Sequence, residues 1–154
     1  MNDFFAFTTS YNGRTNRLIN EAVIVYGQEQ MHTKNAQWDT GATNTCISKT
    51  VSDRLGLVPV SNTLMQTPSG QRVANVFVVD IVLRNNVTVK DIQVIESDIG
   101  QQGIDVLIGM DIITLGDLAV SNVNGQTKFS FRVPSCEEID FVKQIKDTIP
   151  DNDI

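Results

Sequence analysis

The sequence predicts a mostly β domain of the small closed-barrel or sandwich kind, with one or two short helices. Three observations predict it. Runs of about eight residues rich in branched and aromatic side chains recur along the chain. Asn-Gly and other glycine-bearing turns separate them. Helical signals are confined to short stretches. The 154 residues are 41% hydrophobic and 19% charged, an ordinary balance for one globular core. Pro134 ends the compact part, so residues 1–134 read as one domain. Residues 135–154 read as an acidic tail able to form a helix.

In chain order, Phe4–Thr9 and Arg17–Tyr26 are β-type runs, and Asn12-Gly13 between them predicts a hairpin because both residues tolerate positive φ. The second run is expected to continue to Met31, with His32-Thr33-Lys34-Asn35 turning it back into Ala36–Asp39. Cys46-Ile47 begins a short extended piece. Ser48 is placed to cap a helix bearing Val51 and Leu55 on one face, with Gly56 as its left-handed cap and Pro59 preventing continuation. Val60–Gln66 and Arg72–Leu83 read as strands joined by Thr67–Gln71. Phe77, Val79, Ile81 and Leu83 form the apolar face of the second. After Arg84-Asn85-Asn86, the apolar set switches face between Val87/Val89 and Ile92/Val94, which predicts a β-bulge.

Ser97–Gly103 reads as a polar loop, and Val106–Ile108 as a strand buried on both faces. Asp111 is expected to cap a short helix that Gly116 closes. Leu118–Val123 and Thr127–Val133 flank Asn124-Gly125, a second hairpin. Ile139, Val142, Ile145 and Ile149 form an amphipathic stripe expected to pack on the chain's own barrel or on a second copy. Asp151–Ile154 should fray.

Charge and composition exclude several function classes. The net charge is −6, of which the segment after Cys136 carries −4, and no basic patch suits nucleic acid. No apolar run approaches the roughly 20 residues of a membrane span. Met1–Thr9 has neither the basic start nor the apolar stretch of a secretory signal, so a cytoplasmic location is expected. Cys46 and Cys136 fit no metal spacing and read as free thiols, Cys46 as a small buried residue. The single histidine, His32, reads as a surface residue. Asp80 and Asp105 read as surface carboxylates, and Trp38 as core.

One stretch carries chemistry. Ala36–Trp38 leads into Asp39-Thr40-Gly41, which places a carboxylate, a hydroxyl and a small permissive residue on one tight turn. A lone exposed aspartate is a poor general base near neutral pH. Two aspartates held together cannot both ionise; they share a proton and serve as base and acid in turn. The chain has no second Asp-Thr-Gly or Asp-Ser-Gly. Either the turn is not catalytic, or a second copy supplies the partner across a twofold axis.

Trp38-Asp39-Thr40-Gly41-Ala42 followed by Cys46-Ile47, with Val106-Leu107-Ile108-Gly109-Met110-Asp111 downstream, resembles the retropepsin-type (retroviral-like) aspartic protease family. The resemblance extends over about residues 24–131, and 68 positions separate Gly41 from Gly109. It implies a small closed-barrel acid protease domain that works as a homodimer on a peptide or protein substrate, with no metal or cofactor. Asp39 would be the catalytic carboxylate, Thr40 would hydrogen-bond across the dimer axis, and Gly41 would offer its backbone to substrate. Ala42 with Thr67, Pro68, Ser69 and Gly70 would contact substrate, the last four as the tip of a closing flap. Leu107, Ile108 and Gly109 would support the Asp39 loop. Met110 departs from the arginine of many viral members, and Gln37-Trp38 from their smaller aliphatic pair. The alternative reading is a non-catalytic module of the same fold that binds peptide or dimerises.

Overall fold

A computed structural model describes residues 5–149. Its strands are β1 (Phe5–Ser10), β2 (Leu18–Tyr26), β3 (Glu29–Trp38), β4 (Cys46–Ser48), β5 (Ser61–Thr67), β6 (Gly70–Val82), β7 (Thr88–Ser97), β8 (Val106–Ile108), β9 (Asp117–Ser121) and β10 (Lys128–Val133). Three short helices, α1 (Lys49–Leu55), α2 (Met110–Ile113) and α3 (Phe141–Thr148), interrupt or follow them.

Six strands close a barrel in the order β2-β3-β8-β4-β7-β6. The ring closes where Val23, Ile24 and Val25 of β2 lie opposite Val82, Ile81 and Asp80 of β6. Alternation fills the interior: Phe77, Val79 and Ile81 of β6 meet Ile24, Val94, Val106 and Ile108, all buried. β5 pairs only with the first half of β6, so the β5–β6 hairpin projects beyond the ring.

A separate sheet, β1-β10-β9, covers one flank. Its inward residues Phe7, Phe129 and Phe131 pack on Trp38, with the Phe131 and Trp38 ring centroids 4.8 Å apart. Phe7 lies opposite Phe131 in the β1–β10 ladder. This overturns the expected hairpin at Asn12-Gly13. Gly13 does adopt a positive φ of 97°, but the chain there crosses to β10's end, where Tyr11 N–H donates to the Thr127 carbonyl and Thr127 N–H to the Gly13 carbonyl. Burying Phe7 in the aromatic cluster outweighs local closure onto β2.

The turn after β2 is also displaced from its expected place. It falls at Gly27-Gln28, with Gly27 at φ 60°, while His32–Asn35 continue β3. Met31 and Thr33 are buried and His32 and Lys34 exposed, so the polar residues are a strand's wet face and not a turn.

Other local signals act as expected. The Ser48 hydroxyl accepts from Val51 N–H to cap α1, and Gly56 closes it at φ 60°, ψ 40°. Asn124 and Gly125 both take positive φ between β9 and β10. The bulge is present: from Val79 to Ile81 on β6 the partner moves from Ile92 to Val89. The extra residue includes Asp91, at φ 51°, whose N–H donates to Asp80 Oδ1 at 2.8 Å.

The tail is tied to β9 by Asp117. Its carboxylate accepts from the Ser135 hydroxyl, from Arg132 Nε at 2.7 Å and from Cys136 N–H at 3.1 Å. These donors, Ser135 first, hold the Asp117 carboxyl below the usual carboxylate range. Beyond it, α3 is capped by Asp140, and none of its residues is buried. Of the predicted stripe, Val142, Ile145 and Ile149 are exposed and do not pack on the chain's own barrel, whereas Ile139, also largely exposed, lines a cavity with Ala6, Ala119 and Phe131 of the β1-β10-β9 sheet. The fraying expected at Asp151–Ile154 falls outside the described residues.

Candidate active site

The site begins with a fixed strand end. Trp38 is locked by the aromatic cluster and by its indole N–H, which donates to Asn20 Oδ1 at 2.9 Å. Parallel pairing of β3 with β8 sets Ala36, Gln37 and Trp38 opposite Val106, Leu107 and Ile108. Asp39 extends that ladder by one bond, N–H to the Ile108 carbonyl at 2.9 Å. The chain then turns. Gly41 N–H donates to Asp39 Oδ1 at 2.8 Å and Ala42 N–H to the Asp39 carbonyl at 3.2 Å. Asp39 and Ala42 are half-buried, whereas Thr40 and Gly41 are exposed. The carboxyl is thus oriented by its own turn, with the hydroxyl and glycine presented outward.

Gly109 lies directly beneath this loop. A β-carbon there would stand 2.7 Å from the Asn44 carbonyl carbon and 2.9 Å from the Ala42 oxygen, so only glycine lets the two segments approach. The approach is used for bonding: Met110 N–H donates to the Ala42 carbonyl at 2.8 Å and Asp111 N–H to the Thr43 carbonyl at 3.2 Å. Ile108 and Gly109 are buried, and Leu107 is half-buried beside Cys46, Ile99 and Ile104.

Asp111 does something other than the helix capping expected of it. Gly109 occupies the cap position of α2, and Asp111 sits inside the first turn. Its carboxylate accepts from Thr45 N–H at 2.8 Å and from the Thr45 hydroxyl at 2.7 Å, as well as from Ile112 N–H. The same hydroxyl accepts from Gly109 N–H at 3.1 Å. Thr45 is completely buried. A three-residue brace, Asp111–Thr45–Gly109, therefore pins the far end of the Asp39 loop to its support. The one local signal for it is a carboxylate next to a buried apolar pair, Ile112-Ile113; nothing near Thr45 in sequence names its partner.

Cys46 follows the brace. Burial, then the Asp111 and Asp39 carboxylates, push its thiol up to about 11. Both cysteines are free, Cys46 buried and Cys136 exposed.

Thr67, Pro68, Ser69 and Gly70 form a tight hairpin tip. Thr67 lies opposite Gly70, and its hydroxyl donates to the Gly70 carbonyl at 2.7 Å. None of the four is hydrogen-bonded to residues 39–42; the tip and the loop are joined through the sheet. A row of register partners, Cys46–Ile95–Val76–Ser61, runs from the end of the Asp39 loop to the start of β5. No cluster of metal-ligating side chains occurs among the described residues, and no described helix is long and apolar enough to cross a membrane.

Comparison with known proteins matches residues 23–112 to the aspartyl protease family. No curated protein sequence matches the chain. Among solved structures, a retropepsin-like aspartic protease from Rickettsia conorii aligns with a TM-score of 0.55 and 16% identity, over 85% of this chain and 94% of that one. The Simian Foamy Virus (mac) protease aligns at 0.42 and 21% identity, over 61% and 89%. The retroviral protease-like domain of Ddi1 from Leishmania major aligns at 0.42 and 17% identity, over 80% and 98%. With a family match over more than half its length and a closed barrel around the Asp39 turn, the chain belongs to the aspartyl protease family and has the retropepsin-like fold.

Proposed function

We propose that the chain is an aspartic endopeptidase that works as a homodimer, each copy supplying one Asp39 carboxylate. One observation carries the reading. Asp39 is held by Ile108, Gly41 and the Gly109 support at an open loop, and each chain has a single such turn. A rigidly held carboxylate facing outward is half of an acid–base pair, and twofold symmetry supplies the other half.

In the assembled site a water lies between the two carboxylates. The ionised one takes its proton as the water attacks the scissile carbonyl. The protonated one donates to the developing oxyanion, and a proton passes to the leaving amine. Thr40, exposed beside Asp39, hydrogen-bonds across the axis. Gly41 and Ala42 line the substrate's path, and Thr67–Gly70 close over it and exclude water. Leu107, Ile108 and Gly109 keep the loop in place. Residues 1–134 form the catalytic unit, with 135–154 as an appended tail. Two free thiols support a reducing, cytoplasmic setting.

The test combines a peptide library, incubated at acidic and neutral pH, with light scattering. The expected result is a dimer that cleaves peptides, and an Asp39→Asn variant of unchanged mass whose kcat/KM is lower by about 10³-fold or more. A strictly monomeric protein, or cleavage that survives Asp39→Asn, defeats the proposal. Peptide bound by the wild type but left intact would replace it with a binding module.

A further inference from the structure

We infer that a cavity between the Asp39 loop and the base of the β5–β6 hairpin is a substrate subsite selective for neutral hydrogen-bonding side chains: Asn, Gln, Ser or Thr. The inference rests on the proteolytic reading above, and it names the substrate class that reading leaves open.

The cavity is placed by the sheet. Its floor is Ile95, which pairs with Cys46 on one side and Val76 on the other, and whose N–H donates to the Thr45 carbonyl at 3.2 Å. Val76 in turn lies opposite Ser61. The cavity therefore spans the distance from the end of the Asp39 loop to the start of the hairpin. An extended peptide passing Asp39 and lying under that hairpin runs along this row, and alternate side chains point toward it.

Its walls have an unusual chemistry for a chain with net charge −6. Asn44 from the loop, Ser61, Asn62 and Thr63 from β5, and Gln93 from β7 line it, with only the aliphatic floor besides. The lining holds no charged residue. None of those five side chains is engaged in a hydrogen bond with another described residue, so their donors and acceptors are free for a guest. The volume is about 280 Å³, near the lower end of the roughly 300–1,000 Å³ of small-molecule sites. That suits one side chain and accompanying water better than a whole small molecule.

The chemistry sets the preference. Amides and hydroxyls both donate and accept, and a guest amide or hydroxyl satisfies them in either sense. An aliphatic guest strips their water and returns nothing. A charged guest loses hydration with no counter-charge in the wall.

The experiment profiles a peptide pool randomised around the scissile bond. The wild type is read by cleavage and Asp39→Asn by capture of intact peptide, each with and without Asn44→Leu or Gln93→Leu. Asn44 and Gln93 are both exposed, so neither change removes a core residue. Expected is one position enriched in Asn, Gln, Ser or Thr. At that position each leucine variant should lower kcat/KM for the amide peptide roughly fivefold to tenfold and raise it for the matched Leu peptide. Cleavage by the wild type with no such position, or a profile that neither variant shifts, overturns the subsite while leaving the protease reading intact. Capture of the enriched peptides without wild-type cleavage keeps the subsite and removes the protease reading. Neither cleavage nor capture removes both.

Discussion

The Asp39 loop and the β5–β6 hairpin face the same proposed substrate path, yet they are held in opposite ways. The loop is fixed from below. Its backbone bonds to Ile108, Met110 and Asp111, its far end hangs on fully buried Thr45, and Gly109 admits no added atom. The hairpin is held by its own ladder and by the Arg72–Asp98 ion pair across to the 3₁₀ turn after β7. Its outer face leaves Leu64 and Val73, directly opposite one another, 64% and 65% exposed. A region whose bonds are buried and shared with other segments opens only with the core, whereas an exposed two-stranded ribbon opens locally. A fixed loop beside a hairpin that opens locally is what the proposed chemistry asks for: exact carboxylate placement and entry for a polymer.

The largest effect should be in thiol chemistry. A thiol pushed up to about 11 from 9.0 has about a hundredfold less thiolate at neutral pH. Iodoacetamide labelling followed by mass spectrometry should therefore modify exposed Cys136 long before Cys46. Equal rates would mean that the loop opens as readily as the surface. Next comes Gly109→Ala, whose methyl meets backbone and not a movable side-chain tip. It should cost about 3 kcal/mol in urea unfolding and reduce the proposed proteolysis with it. A loss under about 0.5 kcal/mol would show that the loop yields freely.

Thr45→Val keeps the shape but leaves Gly109 N–H without its acceptor and removes the hydroxyl donor to Asp111, whose contacts from residue 45 fall from two to one. A cost of about 2 kcal/mol is expected, from a buried donor left unmade. The smallest effect belongs to the β5–β6 hairpin. Leu64→Ser should change unfolding free energy by no more than about 0.5 kcal/mol, since the side chain is already in water. If it instead costs as much as Thr45→Val, the hairpin is packed against something in solution, and the asymmetry between loop and hairpin disappears.

Much of this was legible in the residues. Ser48 and Gly56 announce α1 because capping is chemistry between near neighbours. Asn124-Gly125 announces its hairpin because two consecutive positive φ values need such residues. The switch of apolar face around Asp91 announces the bulge because side chains alternate strictly along a strand. Asp39-Thr40-Gly41 with Leu107-Ile108-Gly109 announces the family. The misreadings share one cause, that a residue's type does not name its distant partner: Asn12-Gly13 supplies turn residues, yet β1 pairs with β10. His32–Asn35 supply the side chains of a turn while lying within β3, and Asp111 has the right residue type for a cap it does not make.

Caps, tight turns, alternation and the presence of one carboxylate turn per chain are decided within a few residues and can be read from them. Only the folded barrel sets β1 beside β10 across more than a hundred residues, packs Trp38 against Phe7, Phe129 and Phe131, and brings Thr45 and Asp111 together to brace the Asp39 loop. Local propensity limits which backbone angles a residue takes. Partners distant in sequence are chosen by which burial and which hydrogen bonds the whole barrel satisfies at once, and that sum has no expression in any short stretch of chain.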